Sequence, residues 1–168
     1  MLRIIGIDPG YAIVGCGIVD YKANRFTVVD QRPITTPAKT DFNIRLELLY
    51  NDIKNLISVY KPDAMSIEKL FFNTNTTTAI AVAQARGVIL LAAQQHRLPI
   101  YEYTPLQIKQ AVTGYGKADK HQMIEMTKTL LGLRQNPKPD DVADALAAAI
   151  CHAHCAGTIN DYINKGGF

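Results

Sequence analysis

The chain has 168 residues, 48% of them hydrophobic and 20% charged, with 11 Gly, 8 Pro and 3 Cys. That is the size and balance of one globular domain, and it excludes a disordered polar chain, a collagen-like repeat and a disulfide framework. No run of about 18 apolar residues exists to span a membrane, and the N-terminus breaks at Asp8-Pro9-Gly10 before a signal-peptide core could form, so a cytoplasmic location is expected.

Residues 2–8 (LRIIGID) are a short apolar run that predicts a buried strand, closed by the Pro9-Gly10 turn. A second strand is expected over 12–19. A third, opened by Asn24 and rich in β-branched residues, is expected over 25–35. The connections are too short for a crossover helix, so these strands should be antiparallel neighbours. After Pro37 the period changes. Leu46, Leu49, Ile53, Leu56 and Tyr60 recur at helical spacing, with Asp41 as N-cap and Lys61-Pro62 as stop. A fourth strand follows over 63–68, then a polar loop, a long helix over 77–96 and a fifth strand over 99–103. Thr104-Pro105 opens a further helix, which the Gly114-Tyr115-Gly116 loop ends. Helices over 118–131 and 140–156 complete the order. Strand meander followed by alternating elements predicts an α/β domain over 1–157, with one five-stranded mixed sheet and helices on both faces. Residues 158–168 are expected to be a flexible tail.

Charge is distributed unevenly. Residues 86–138 hold eight basic and three acidic side chains, whereas 139–168 hold one basic and four acidic. A basic segment beside an acidic one suits a surface that holds a polyanion next to a site that holds cations.

Four acids stand where folded chains seldom put them without cause. Asp8 and Glu68 end the first and fourth strands; Asp141 and Asp144 share a face in the first turns of an Ala-rich helix. If the two strands are parallel neighbours, all four meet at one sheet edge. Singly, three have a bland role: turn residue for Asp8, helix-terminal charge for Asp141, partner of Lys61 or Lys69 for Glu68; Asp144, flanked by Val142, Ala143, Ala145 and Leu146, is the hardest to dismiss. Together they would repel without a counter-charge. An all-oxygen donor set favours Mg²⁺ or Mn²⁺, and one or two such ions suit phosphodiester hydrolysis. The tract CHAHC at 151–155 places Cys151 and Cys155 on one face, but no second ligand pair accompanies them, and it reads as buried helix rather than a zinc site.

The segments GIDPG (6–10), IEKLF (67–71), QARG (84–87) and DVADALAAAI (141–150) resemble, in order and spacing, the motifs of the RuvC family of crossover-junction endodeoxyribonucleases. The resemblance extends over about residues 2–156. It implies a ribonuclease-H-like fold, a homodimer and Mg²⁺-dependent paired nicking of four-way DNA junctions, with the RuvA–RuvB branch-migration machinery as partner. The family's catalytic, metal-holding acids map onto Asp8, Glu68, Asp141 and Asp144. Its aromatic near the scissile step maps onto Phe71, with Phe72 a second candidate, and its DNA-contacting lysines map onto Lys109 and Lys120. Lys117 is a further cation beside the Gly-Tyr-Gly loop, and Asp140 inherits no role. Competing readings are a nuclease of the same fold acting on hybrid or simple duplex, a junction binder without cleavage, and half of an actin-like ATPase. The last needs a longer chain. Finally, the 77–96 helix is apolar nearly all round, with Gln84 and Arg86 the only polar side chains from 79 to 93. Surplus apolar surface of that kind predicts a covering second copy, with Leu90 or Leu91 facing outward.

Overall fold

In the computed structural model, which describes residues 1–70 and 76–164, the elements are β1 (Leu2–Asp8), β2 (Ile13–Lys22), β3 (Arg25–Thr35), α1 (Phe42–Tyr60), β4 (Ala64–Glu68), α2 (Thr76–Gln95), β5 (Ile100–Tyr103), α3 (Pro105–Thr113), α4 (Lys120–Leu131) and α5 (Asp140–Asn164). The strands form one sheet in the order β3-β2-β1-β4-β5. β1, β2 and β3 pair antiparallel, and β4 and β5 join parallel.

Local chemistry sets the element ends. Ala23 and Asn24, with φ of 49° and 60°, make the two-residue β2–β3 turn, a left-handed pair that Asn tolerates well. β2 therefore runs to Lys22, three residues past its expected end, because the hairpin pairs down to Lys22 and Arg25. Lys61 caps α1 in the left-handed conformation, its N–H donating to the Ile57 carbonyl. Asp41 occupies the N-cap position of α1 but makes no side-chain capping bond. Thr104 with Gln107, and Asp119 with Gln122, form reciprocal capping boxes that start α3 and α4.

Strand alternation divides the interior in two. Ile5, Ile7, Cys16, Ile18, Met65 and Ile67 pack under α1 and α2. On the other face, Ile4 and Val19 pack against α5, with α3 and α4 completing the layer. α5 runs to Asn164, eight residues past the expected end at 156; no proline interrupts it, and Gly157 alone costs only about 1 kcal/mol.

α2 corrects one expectation. Leu90 is half-buried against the first core, whereas Leu91 (52% exposed) and Ile80 (72%) face outward. A helix apolar all round gives no moment from which to read its orientation.

Candidate active site

The register between β1 and β4 runs from Ile4↔Ala64 to Ile7↔Ile67, so Asp8 and Glu68 follow side by side at the carboxyl edge of the sheet. Because Ile5, Ile7, Met65 and Ile67 point into the α1/α2 core, alternation turns Asp8 and Glu68 toward the face that carries α5.

A notch of small residues seats α5 on that face. Gly6 lies opposite Gly17 on one side and Ser66 on the other, and Gly15 lies opposite Asp8. A Cβ on Gly6 would stand 2.0 Å from the Ala145 carbonyl oxygen, one on Gly15 1.8 Å from that of Asp141, and one on Gly17 2.5 Å from Leu146 Cδ2. Only hydrogen at Gly6 and Gly15 lets the helix backbone approach so closely, and Gly17 makes room for the Leu146 side chain. The Ser66 hydroxyl donates to the Ala148 carbonyl at 2.6 Å, which satisfies a buried group and fixes the helix along its axis. With α5 so held, Asp141 and Asp144 in its first turns come to the edge that bears Asp8 and Glu68.

The electrostatics record that convergence. The Asp8 carboxyl is pushed up to about 7, first by burial and then by the charges of Asp144, Glu68 and Asp141, with Lys120 pulling the other way. Glu68 is pushed up to about 6 by burial and then by Asp144, and Lys109 opposes the rise. Burial is also the main reason the Asp144 carboxyl is raised. These groups hold charge poorly without a cation. Glu68, Asp144, Lys109 and Lys120, with Pro105, Ile108 and Met123, line a cavity of about 230 Å³. The sheet edge and α5 supply the acids of its wall, and α3 and α4 the bases.

An all-carboxylate set with raised pKa values fits a hard divalent cation. Among the described residues, however, no three His, Cys, Asp or Glu side chains stand close enough to hold one ion.

The sequence-based candidates divide. Asp8, Glu68, Asp141, Asp144, Lys109 and Lys120 gather at this edge. Lys117 is exposed on the preceding loop and is not part of the cavity wall. Phe71 and Phe72 lie outside the described residues. Cys151 is buried, His152 accepts from or donates to the Tyr103 hydroxyl at 2.8 Å, and His154 Nδ1 meets the Ala111 carbonyl at 3.0 Å; these roles are structural. Sequence reasoning missed the glycine notch, although Gly15 and Gly17 alternating in one strand were its signal. It also missed Asp140, whose carboxylate pairs with Lys120 at 2.9 Å.

A β3-β2-β1-β4-β5 mixed sheet with acids ending β1 and β4, and on the helix laid across them, defines a ribonuclease-H-like protein. Residues 4–152 match the family model for the crossover junction endodeoxyribonuclease RuvC. The chain is 60% identical over 151 residues to the crossover junction endodeoxyribonuclease RuvC of Alkaliphilus metalliredigens, covering 90% of this chain and 92% of that protein. It is 53% identical over 164 residues to the RuvC of Clostridioides difficile, with 98% and 97% covered. Among solved structures, it is similar to Thermus thermophilus RuvC in complex with a Holliday junction substrate, with a TM-score of 0.89 and 32% identity over 94% of this chain and 96% of that one. The chain belongs to the RuvC family.

Proposed function

We propose that this chain resolves four-way Holliday junctions during recombination and repair, by paired, divalent-metal-dependent hydrolysis of phosphodiester bonds in two strands. One observation carries the reading: parallel pairing and the glycine notch bring Asp8, Glu68, Asp141 and Asp144 to a single edge, alongside Lys109 and Lys120. A Thermus relative of the same fold is described in complex with a Holliday junction.

Asp8, Glu68, Asp141 and Asp144 would hold one or two Mg²⁺ ions, with Mn²⁺ as substitute, and such ions supply an activated water and neutralise the leaving oxygen. The chain's own residues do the rest. Lys109 and Lys120 attract a phosphate to the cavity and set the strand against the acids. Lys117, on the loop before α4, extends the same positive strip toward a junction arm. Phe71 or Phe72, three and four residues beyond Glu68, stacks on a base at the branch point, as the family's aromatic implies.

The protein acts as a homodimer. The outward Ile80 and Leu91 of α2 support this, and a two-fold pair presents one site to each of two equivalent strands. By family membership its partner is the RuvA–RuvB branch-migration machinery. A cytoplasmic location goes with this role in recombination and repair.

The test is a comparison of Asp8→Asn and Glu68→Gln with wild type. Both should lose cleavage and keep junction binding. Near-wild-type cutting by either variant contradicts the assignment.

A further inference from the structure

Neither the strand pattern nor the family motifs give Asp140 a task, yet it holds one of the two lysines that line the cavity. Lys120 Nζ stands 2.9 Å from Asp140 Oδ2. Lys120 is the first residue of α4, directly after its Asp119 cap. A cation there opposes the helix dipole, so local structure gives no reason for a lysine at that position. Its charged surroundings are acidic: Asp140 by direct contact, and Asp144 and Asp141 at longer range. Asp140 itself begins α5, whose first turn is locked onto Gly15. A carboxylate on one anchored helix start therefore aims a long, rotatable side chain on another.

We propose that Asp140 is a positioning residue, holding the Lys120 ammonium at the mouth of the carboxylate cavity in the free protein and releasing it to a backbone phosphate when a junction binds. This rests on the proposed role of Lys120 in meeting DNA. Both side chains are more than half exposed, at 59% and 55%. Water therefore screens the pair, and its strength amounts to a factor of about 1.5–5 in an equilibrium constant. A tether that weak can be exchanged for a phosphate. While it lasts, it removes much of the freedom of a side chain that would otherwise sweep the groove. It also keeps a positive charge beside carboxylates that lack a metal.

The experiment is a double-mutant cycle on the full chain: wild type, Asp140→Asn, Lys120→Ala and the double variant. Four-way junction DNA is the probe, binding is measured in chelator, and the salt concentration is varied. Asp140 is the first helical residue of α5, and Asn there keeps the size and shape of the side chain while removing its charge; Asp140→Ser provides a second variant. Asp140→Asn should tighten binding by about 2–5-fold, because phosphate no longer competes with the carboxylate for Lys120. Lys120→Ala should weaken it, and the double variant should bind like Lys120→Ala alone. Equal tightening by Asp140→Asn with and without Lys120 overturns the proposal, since it reflects only the removal of negative charge near DNA, and leaves the Lys120 role intact. Unchanged affinity and salt slope in Lys120→Ala removes that role and the proposal with it. In the DNA-free protein, the Lys120 side-chain NMR signal should shift on Asp140→Asn; a signal that stays in place also overturns the tether.

Discussion

Replacing Asp8 by Asn should make the metal-free protein more stable. The folded protein holds the Asp8 proton up to about 7, whereas the unfolded chain releases it near its ordinary value of 3.8. Between those values folding takes up a proton, so stability falls as the pH rises. The rise from 3.8 to about 7 caps the cost at about 4 kcal/mol. Asp8, Glu68 and Asp144 share the same repulsion, so their costs overlap, and roughly 2–4 kcal/mol is the expected recovery from neutralising Asp8 alone. At about 2–4 °C per kcal/mol this is about 5–15 °C in Tm for a chain of this size. The assay is thermal unfolding in chelator from pH 3.5 to 8.5. The Asn variant should match wild type at the acid end and separate from it progressively up to pH 7–8. Added Mg²⁺ should raise the wild-type Tm and close the gap. A variant no more stable than wild type at pH 8 in chelator would refute the crowding of charge at this edge.

Three further substitutions probe the architecture around the acids. Gly15→Ala drives a methyl into the Asp141 carbonyl; it should cost about 1–3 kcal/mol in chemical denaturation and reduce junction cleavage far more than junction binding. Lys109→Met removes the cation that restrains the Glu68 carboxyl, so the Glu68 pKa measured by NMR in the metal-free protein should rise further, and the acid limb of cleavage should move to higher pH. It should also flatten the salt dependence of binding, by a log–log slope of about 0.9 for each duplex phosphate that Lys109 no longer neutralises. Leu91→Glu places a charge on the outward face of α2 and should yield a folded monomer by sedimentation that makes single rather than paired nicks; an unchanged dimer would show that another face pairs.

The sequence carried the sheet and the acids because both rest on short-range patterns. Ile4, Ile5 and Ile7 before Asp8, and Met65 and Ile67 before Glu68, mark buried strands that end in a charge, and the i, i+3 spacing of Asp141 and Asp144 marks a helix face. What stayed hidden depends on packing between distant segments. The pairing of Lys120 with Asp140 joins two helix starts twenty residues apart, with no period linking them. The depth at which α5 sits depends on two missing Cβ atoms, at Gly6 and Gly15, that act only once β1 and β2 are side by side. Leu90 and Leu91 could not be told apart in a helix apolar on every side, and only the burial of Ala85, Ile89 and Ala92 of the same helix in the core turns Leu91 outward.

The acidic edge should cut junctions and should need a divalent ion to do so. Cleavage of a mobile four-way junction, beside a linear duplex of the same sequence, with Mg²⁺ or with chelator, tests it most directly. The expected result is two symmetric nicks in the junction when Mg²⁺ is present, none in chelator, and an intact duplex throughout. Equal cutting of the duplex, or junction cutting that persists in chelator, would contradict it.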